Sequence, residues 1–178
     1  MLQDGRQQAL HALHGKAIEK AVRFILMRLP VPISTWNPES VMNEMNFNVF
    51  TYGSLMFPQV WERVVHGHYQ SAKATVTGYA RFAIIGELYP GMVVRADAAV
   101  QGVVYFDVGP RDMAALDAFE GAHYRRDGLN ATLDCGKVVA AEAYIFINTS
   151  VLSDMPWLPE TFQIQRFMQT YPHDKPGE

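Results

Sequence analysis

The chain has 178 residues, 49% of them hydrophobic and 19% charged, with a formal net charge of -3. That length supports one domain with a real core, and the charge gives no general basic surface, so no nucleic-acid partner is expected. The single cysteine, Cys135, excludes an internal disulfide, and Asp134 beside it disfavours a reactive thiolate; a reducing, cytoplasmic setting is expected.

Residues 1–46 read differently from the rest. Leu10, Leu13, Ala17, Ala21 and Phe24 recur at helical spacing, with Lys16, Lys20 and Arg23 mostly off that stripe. Pro30 and Pro32 end this helix, and a loop through Trp36 and Pro38 follows. Three readings stay open for the segment. It is an accessory helix packed on the domain or on a partner subunit, which would allow a homodimer. It is a basic, amphipathic targeting or membrane-surface helix. Or it is an upstream extension with no fold of its own, in which case Met42 or Met45 could be the start of translation. No stretch approaches the ~20 apolar residues of a membrane-spanning helix, and the N-terminus lacks the apolar core and cleavage site of a secretory signal. No membrane partner is expected.

From Phe47 the text is strand-rich. Phe47–Tyr52 reads as a strand, and Pro58 suits the first turn of a helix continued by Val60, Trp61, Val64 and Val65. Ser71–Ile85 alternates around Gly78 as a strand. Leu88–Met92 reads as a turn and Ala98–Asp107 as another strand. Gly109-Pro110-Arg111-Asp112 opens a second helix, which Gly121 closes. Gly128–Asp134 and Lys137–Ile147 form two strands joined at Cys135-Gly136, and Pro159–Tyr171 a last helix. The chain divides into an extension (1–46), a main domain (47–150) and a C-terminal helix and tail (151–178). Many strands with few long helices between them predict an α+β fold: a small, mainly antiparallel or mixed β-barrel with peripheral helices.

Two segments carry the chemistry. In Tyr52-Gly53-Ser54-Leu55 a strand runs through a Gly-Ser turn into a helix start, which leaves backbone N–H groups unpaired. Such a nest favours a carboxylate or phosphate, although Gly-Ser is also a common plain connector. In the second helix Met113, Leu116 and Phe119 form the apolar stripe. At 100° per residue Glu120 falls about 20° from Met113, aimed with the core-facing side chains. It also sits in the last turn, where the helix dipole disfavours a carboxylate. Both effects predict a raised pKa suited to proton transfer; the alternative is a rim glutamate reaching water past the helix end. Asp117 reads as a solvated or capping residue.

Other candidates are weaker. His66 and His68 alternate around Gly67 but have no acidic or cysteine partner at ligand spacing, so no metal is expected. Ser54 has no evident His/Asp relay. Arg81, Glu87 and Tyr89 surround a turn and either line a pocket or lie on the surface. No phosphate-loop lysine and no dinucleotide fingerprint occur.

Taken together, Val49-Phe50-Thr51-Tyr52-Gly53-Ser54-Leu55, Gly78-Tyr79-Ala80-Arg81-Phe82, Gly86-Glu87-Leu88-Tyr89-Pro90-Gly91, Val100-Gln101-Gly102-Val103-Val104-Tyr105 and Leu116–Arg126 resemble the gamma-glutamylcyclotransferase-like family. The likeness covers roughly residues 47–148 and is nearest to the gamma-glutamylamine cyclotransferase, AIG2-like subgroup. It implies a small mixed β-barrel flanked by helices. It implies that Tyr52, Gly53, Ser54 and Leu55 hold the substrate's α-carboxyl end and that Glu120 is the acid/base. Tyr89 is a further candidate for substrate contact, and Tyr124 and Arg125 either shape the pocket or pack and pair at the surface. The implied reaction cyclises a γ-glutamyl amine or amide to 5-oxoproline and a free amine. Its attacking amine belongs to the substrate, so neither a metal nor an organic cofactor is expected. A non-catalytic module of the same fold, holding a small carboxylate ligand or a protein partner, is the rival reading.

Overall fold

Alternation of side chains along five strands gives this molecule two cores, one on each side of a single curved sheet. In the computed structural model residues 45–170 are described. The elements are β1 (Phe47–Thr51), α1 (Pro58–Val64), β2 (Ser71–Ile84), β3 (Pro90–Val108), α2 (Pro110–Glu120), β4 (Tyr124–Leu133), β5 (Val138–Phe146), β6 (Leu152–Pro156) and α3 (Ile164–Thr170). Short 3-10 turns at Ser54–Met56, Gly121–His123, Thr149–Val151 and Pro159–Thr161 join some of them. The N-terminal helix expected over residues 10–24, with its three readings, lies outside the described residues, as does Tyr171.

The strands run in the order β3-β1-β5-β4-β2, and β2 pairs again with β3, which closes a five-stranded barrel; β6 is added on β2. The β1–β5 pair is parallel and the others are antiparallel, so the barrel is mixed as expected. Inside it, Phe50 and Tyr52 pack among Ala74, Val76, Met92, Val104, Ala131, Ala141 and Ala143. Small alanines opposite large rings are what a narrow barrel can hold. The residues next in line face outward: Val49, Tyr105 and Tyr144 join Val60, Trp61, Met113, Leu116 and Phe167 in a second core between barrel and helices. There Trp61 stacks on Tyr105 at 3.6 Å and 2°, which seats α1. Gly102 admits β1: a Cβ there would meet the Thr51 carbonyl oxygen at 2.2 Å.

Three expectations change. The turn expected at Leu88–Met92 and the strand expected at Ala98–Asp107 merge, because Pro90–Met92 already pair with Ala83–Arg81 and start β3. Proline at the first strand position lacks only an N–H that a ladder can spare. Register shifts between Thr77 and Tyr79, where Gly78 (φ +82) stands opposite residues 95–98. This irregularity lets one long hairpin form the barrel wall with one half and carry β6 with the other. Strand β6 has no alternation to announce it and is held by pairing Phe82 with Pro156 and Ile84 with Leu152. Finally, the helix expected over Pro159–Tyr171 is broken into a 3-10 turn and α3, with Phe162 between them packed on Phe57, Trp157 and Phe167. Among the described residues no helix is long and apolar enough to cross a membrane.

Candidate active site

Strand β1 leaves the barrel at Thr51, and the chain turns at once. The turn is closed by the N–H groups of Met56 and Phe57, which donate to the Gly53 and Ser54 carbonyls at 3.0 and 3.1 Å. The amides of Gly53, Ser54 and Leu55 precede any carbonyl that this turn could offer them. Gly53 runs against the Pro90 ring, where a Cβ would come within 2.9 Å. Tyr52 is buried beneath the loop; its hydroxyl donates to the Tyr144 carbonyl.

Helix α2 delivers the acid. Pro110 pre-sets its first turn, and Met113 and Leu116 bury its inner stripe. Asp112 anchors it, accepting from the N–H groups of His66 and Gly67 at 3.0 and 2.8 Å and from the Tyr69 hydroxyl at 2.7 Å. Burial alone would raise its carboxyl pKa, but these donors outweigh it and hold the group below the usual carboxylate range. Gly121, at φ 63 and ψ -159, then stops the helix directly after Glu120. That backbone region is open almost exclusively to glycine.

Glu120 keeps partial exposure as a residue because it borders a cavity, while its carboxyl lies densely surrounded by protein. The surroundings of the carboxyl decide its ionisation: burial pushes its pKa up to about 8. Burial also raises the Tyr52 and Tyr144 phenols, and the nearby Glu120 charge adds to both shifts.

One cavity of about 320 Å³ holds these parts together. Tyr52, Gly53, Ser54, Leu55, Tyr89, Glu120 and Tyr124 all line it, so the loop, the acid and the two tyrosines reach the same space. Tyr124 is braced by donating to the Pro90 carbonyl at 2.8 Å. Of the cluster around the β2–β3 turn, Tyr89 lines the cavity, Glu87 is exposed and Arg81 stands behind the loop. His66 serves α2 through its backbone rather than its ring. Asp117 is exposed but not merely solvated: it accepts from the Tyr144 hydroxyl at 2.8 Å and pairs with Arg126 at 3.4 Å.

Sequence reasoning passed over Phe50, Phe119, Tyr144 and Phe167, which line the same cavity. Three of these carry no polar atom, and a ring facing a cavity has the same periodicity as a ring facing the core. Tyr144 was the one with a signal, a hydroxyl inside an apolar strand that must find a partner. The volume lies at the small end of ligand pockets. It is lined by the Tyr52–Leu55 loop, by the Glu120 carboxyl that burial keeps protonated, and by aromatic rings.

Residues 49–160 match the protein family described as Gamma-glutamyl cyclotransferase, AIG2-like. Among curated proteins the chain is similar to AIG2-like protein D of Arabidopsis thaliana, 34% identical over 86 residues, covering 48% of this chain and 57% of that protein. It is also similar to AIG2-like protein A of the same plant, 33% identical over 102 residues, covering 57% and 62%. The chain thus spans less than two thirds of the length of these two relatives. Among solved structures, a solution structure of an Arabidopsis thaliana protein superposes with TM-score 0.57 and 27% identity, covering 72% of this chain and 91% of that one. A solved gamma-glutamyl cyclotransferase superposes with TM-score 0.51 at 16% identity, covering 58% and 68%, a likeness of fold alone.

Proposed function

As the chain belongs to the gamma-glutamyl cyclotransferase, AIG2-like family, we propose that it cyclises a γ-glutamyl amine or amide to 5-oxoproline and releases the free amine. One observation carries the reading: a carboxyl with a pKa of about 8 shares a cavity of about 320 Å³ with the Tyr52–Leu55 loop.

The loop amides of Gly53, Ser54 and Leu55 hold the substrate's α-carboxylate, and Tyr89 and Tyr124 flank the chain that curls toward the loop. The α-ammonium then lies beside Glu120, and its positive charge lowers the Glu120 pKa so that the carboxylate forms. Glu120 takes a proton from the ammonium. The freed amine attacks the γ-carbonyl carbon, closing a five-membered ring and placing negative charge on the carbonyl oxygen. Loop amides not engaged by the carboxylate are donors for that oxyanion. Glu120 returns its proton to the leaving nitrogen and the C–N bond breaks as the carbonyl re-forms. The ring nitrogen, which still carries two hydrogens and a positive charge after the attack, gives its extra proton through Glu120 to the departing amine, leaving 5-oxoproline and an ammonium. Curling the substrate supplies orientation, and proton transfer by a positioned side chain typically contributes ~10²–10⁴ in rate.

The test is release of 5-oxoproline from a panel of γ-glutamyl amines and γ-glutamyl amino acids by the wild type and by Glu120→Gln. Turnover by the wild type that falls at least about a hundredfold in Glu120→Gln supports the reading. Unchanged release in the variant removes the catalytic assignment. If nothing is turned over, yet one compound binds and Gly53→Val abolishes that binding by crowding Pro90, the non-catalytic module is the correct reading.

A further inference from the structure

Arg81 lies on β2, half-buried and behind the loop rather than in the cavity. Its Nη1 donates to the Tyr52 carbonyl at 2.5 Å and to the Gln101 carbonyl at 3.3 Å, and lies 3.6 Å from Met56 Sδ. The guanidinium carbon sits 5.0 Å from the centre of the Trp157 ring. Trp157 is itself fixed: its indole N–H donates to the Leu88 carbonyl at 2.9 Å, one residue before Tyr89, and its backbone N–H to the Arg81 carbonyl at 3.4 Å. One cation therefore ties the end of β1, the β2–β3 turn and the start of the C-terminal segment to a single point.

The described peptide bonds are all trans. In a trans peptide the N–H points opposite to the C=O. With the Tyr52 carbonyl drawn back onto Arg81, the Gly53 N–H must point away from the guanidinium, on the side where Gly53 lines the cavity. A cation bonded to that carbonyl also polarises the peptide and makes its N–H a stronger donor. Among the described residues the loop's own backbone hydrogen bonds use the carbonyls of Gly53 and Ser54, and that of Tyr52 accepts from Arg81. Resting on the cyclotransferase reading, we propose that Arg81 is the positioning residue of the carboxylate cradle: it aims and polarises the Gly53 amide without touching substrate. The π face of Trp157 and the two carbonyls replace the water that the guanidinium gives up.

A cradle that grips the α-carboxylate binds ground state and transition state alike, so its loss appears in KM rather than kcat. Arg81→Met and Arg81→Lys are compared with wild type on whichever γ-glutamyl compound the wild type turns over, and in calorimetric binding of L-glutamate. Arg81→Met should raise KM and weaken L-glutamate binding about tenfold or more, with kcat within about threefold and the limb of the pH profile set by Glu120 in place. Arg81→Lys should fall between, since lysine keeps the charge but cannot both reach two carbonyls and lie flat on indole. A KM within twofold of wild type, a fall in kcat alone, or failure of both variants to fold overturns the assignment. If the wild type binds L-glutamate but cyclises nothing, the reaction proposed above fails and binding alone still decides the role of Arg81. If it does neither, both fall.

Discussion

Replacing Glu120 by glutamine separates the environment of this carboxyl from any question of substrate. The group's ordinary pKa is 4.5, and burial carries it to about 8 in the folded protein. Below pH 4.5 the carboxyl is protonated in both folded and unfolded chains and makes no difference to stability. From there to pH 8 the unfolded chain releases the proton while the folded chain keeps it, so the folded state binds more protons and stability falls as pH rises. Above pH 8 the folded protein ionises as well, and the loss levels off. The interval is roughly 3.5 pH units at about 1.4 kcal/mol each, an upper bound of about 5 kcal/mol. Glutamine has the same shape and no such dependence. The Tm of Glu120→Gln minus that of wild type, measured from pH 4 to pH 9.5, should be near a constant at the acid end. It should then climb through neutrality by on the order of 10 °C, at ~2–4 °C per kcal/mol for a chain of this size. Other titrating groups are common to both proteins and cancel in the difference. A difference that stays flat across the range means that the Glu120 carboxyl is hydrated in the folded state, and the account of it as a poised proton carrier fails with it.

Two further outcomes follow from the anchoring of helix α2. Asp112→Asn should lower stability at pH 7 by about 1–3 kcal/mol, because one amide oxygen cannot serve two N–H groups and a phenol; denaturant titration measures it. Since the Asp112 pKa is depressed, the wild-type advantage should persist above about pH 4 and disappear as pH falls below it through the folded-state value. Gly121→Ala should cost about 1–3 kcal/mol in the same assay, because alanine is strained at φ 63 and ψ -159 although a Cβ there meets nothing within 4 Å. A loss below 0.5 kcal/mol would show that the helix can end another way.

The parts of this protein governed by near neighbours in sequence were readable before folding. Pro58 and Pro110 mark helix starts because their fixed φ and missing N–H fit only the first turn. Gly121 marks a helix end, and the 3.6-residue period places Glu120 on the same side as Met113 and Leu116 without any knowledge of what lies opposite. The 3-10 turn after Tyr52 is equally local and could be inferred from the strand-turn-helix text alone.

What could not be read depends on which strand lies beside which. Alternation says that Ala143 and Tyr144 face opposite ways, but only closure of β2 onto β3 decides that one side is the barrel interior and the other borders the cavity. The same holds for Phe167, an ordinary helix-face ring until α3 is set against the loop, and for β6, whose only strand signal is its pairing with β2. Arg81 and Tyr52 are 29 residues apart in sequence and are joined by the Nη1 hydrogen bond to the Tyr52 carbonyl. Sequence by itself determined the helix starts at Pro58 and Pro110, the helix end at Gly121 and the turn after Tyr52, since steric and hydrogen-bonding preferences act over a few residues. Tertiary structure decided which loop and which carboxyl border one cavity and which cation stands behind that loop, because burial and charge proximity exist only once distant segments have packed.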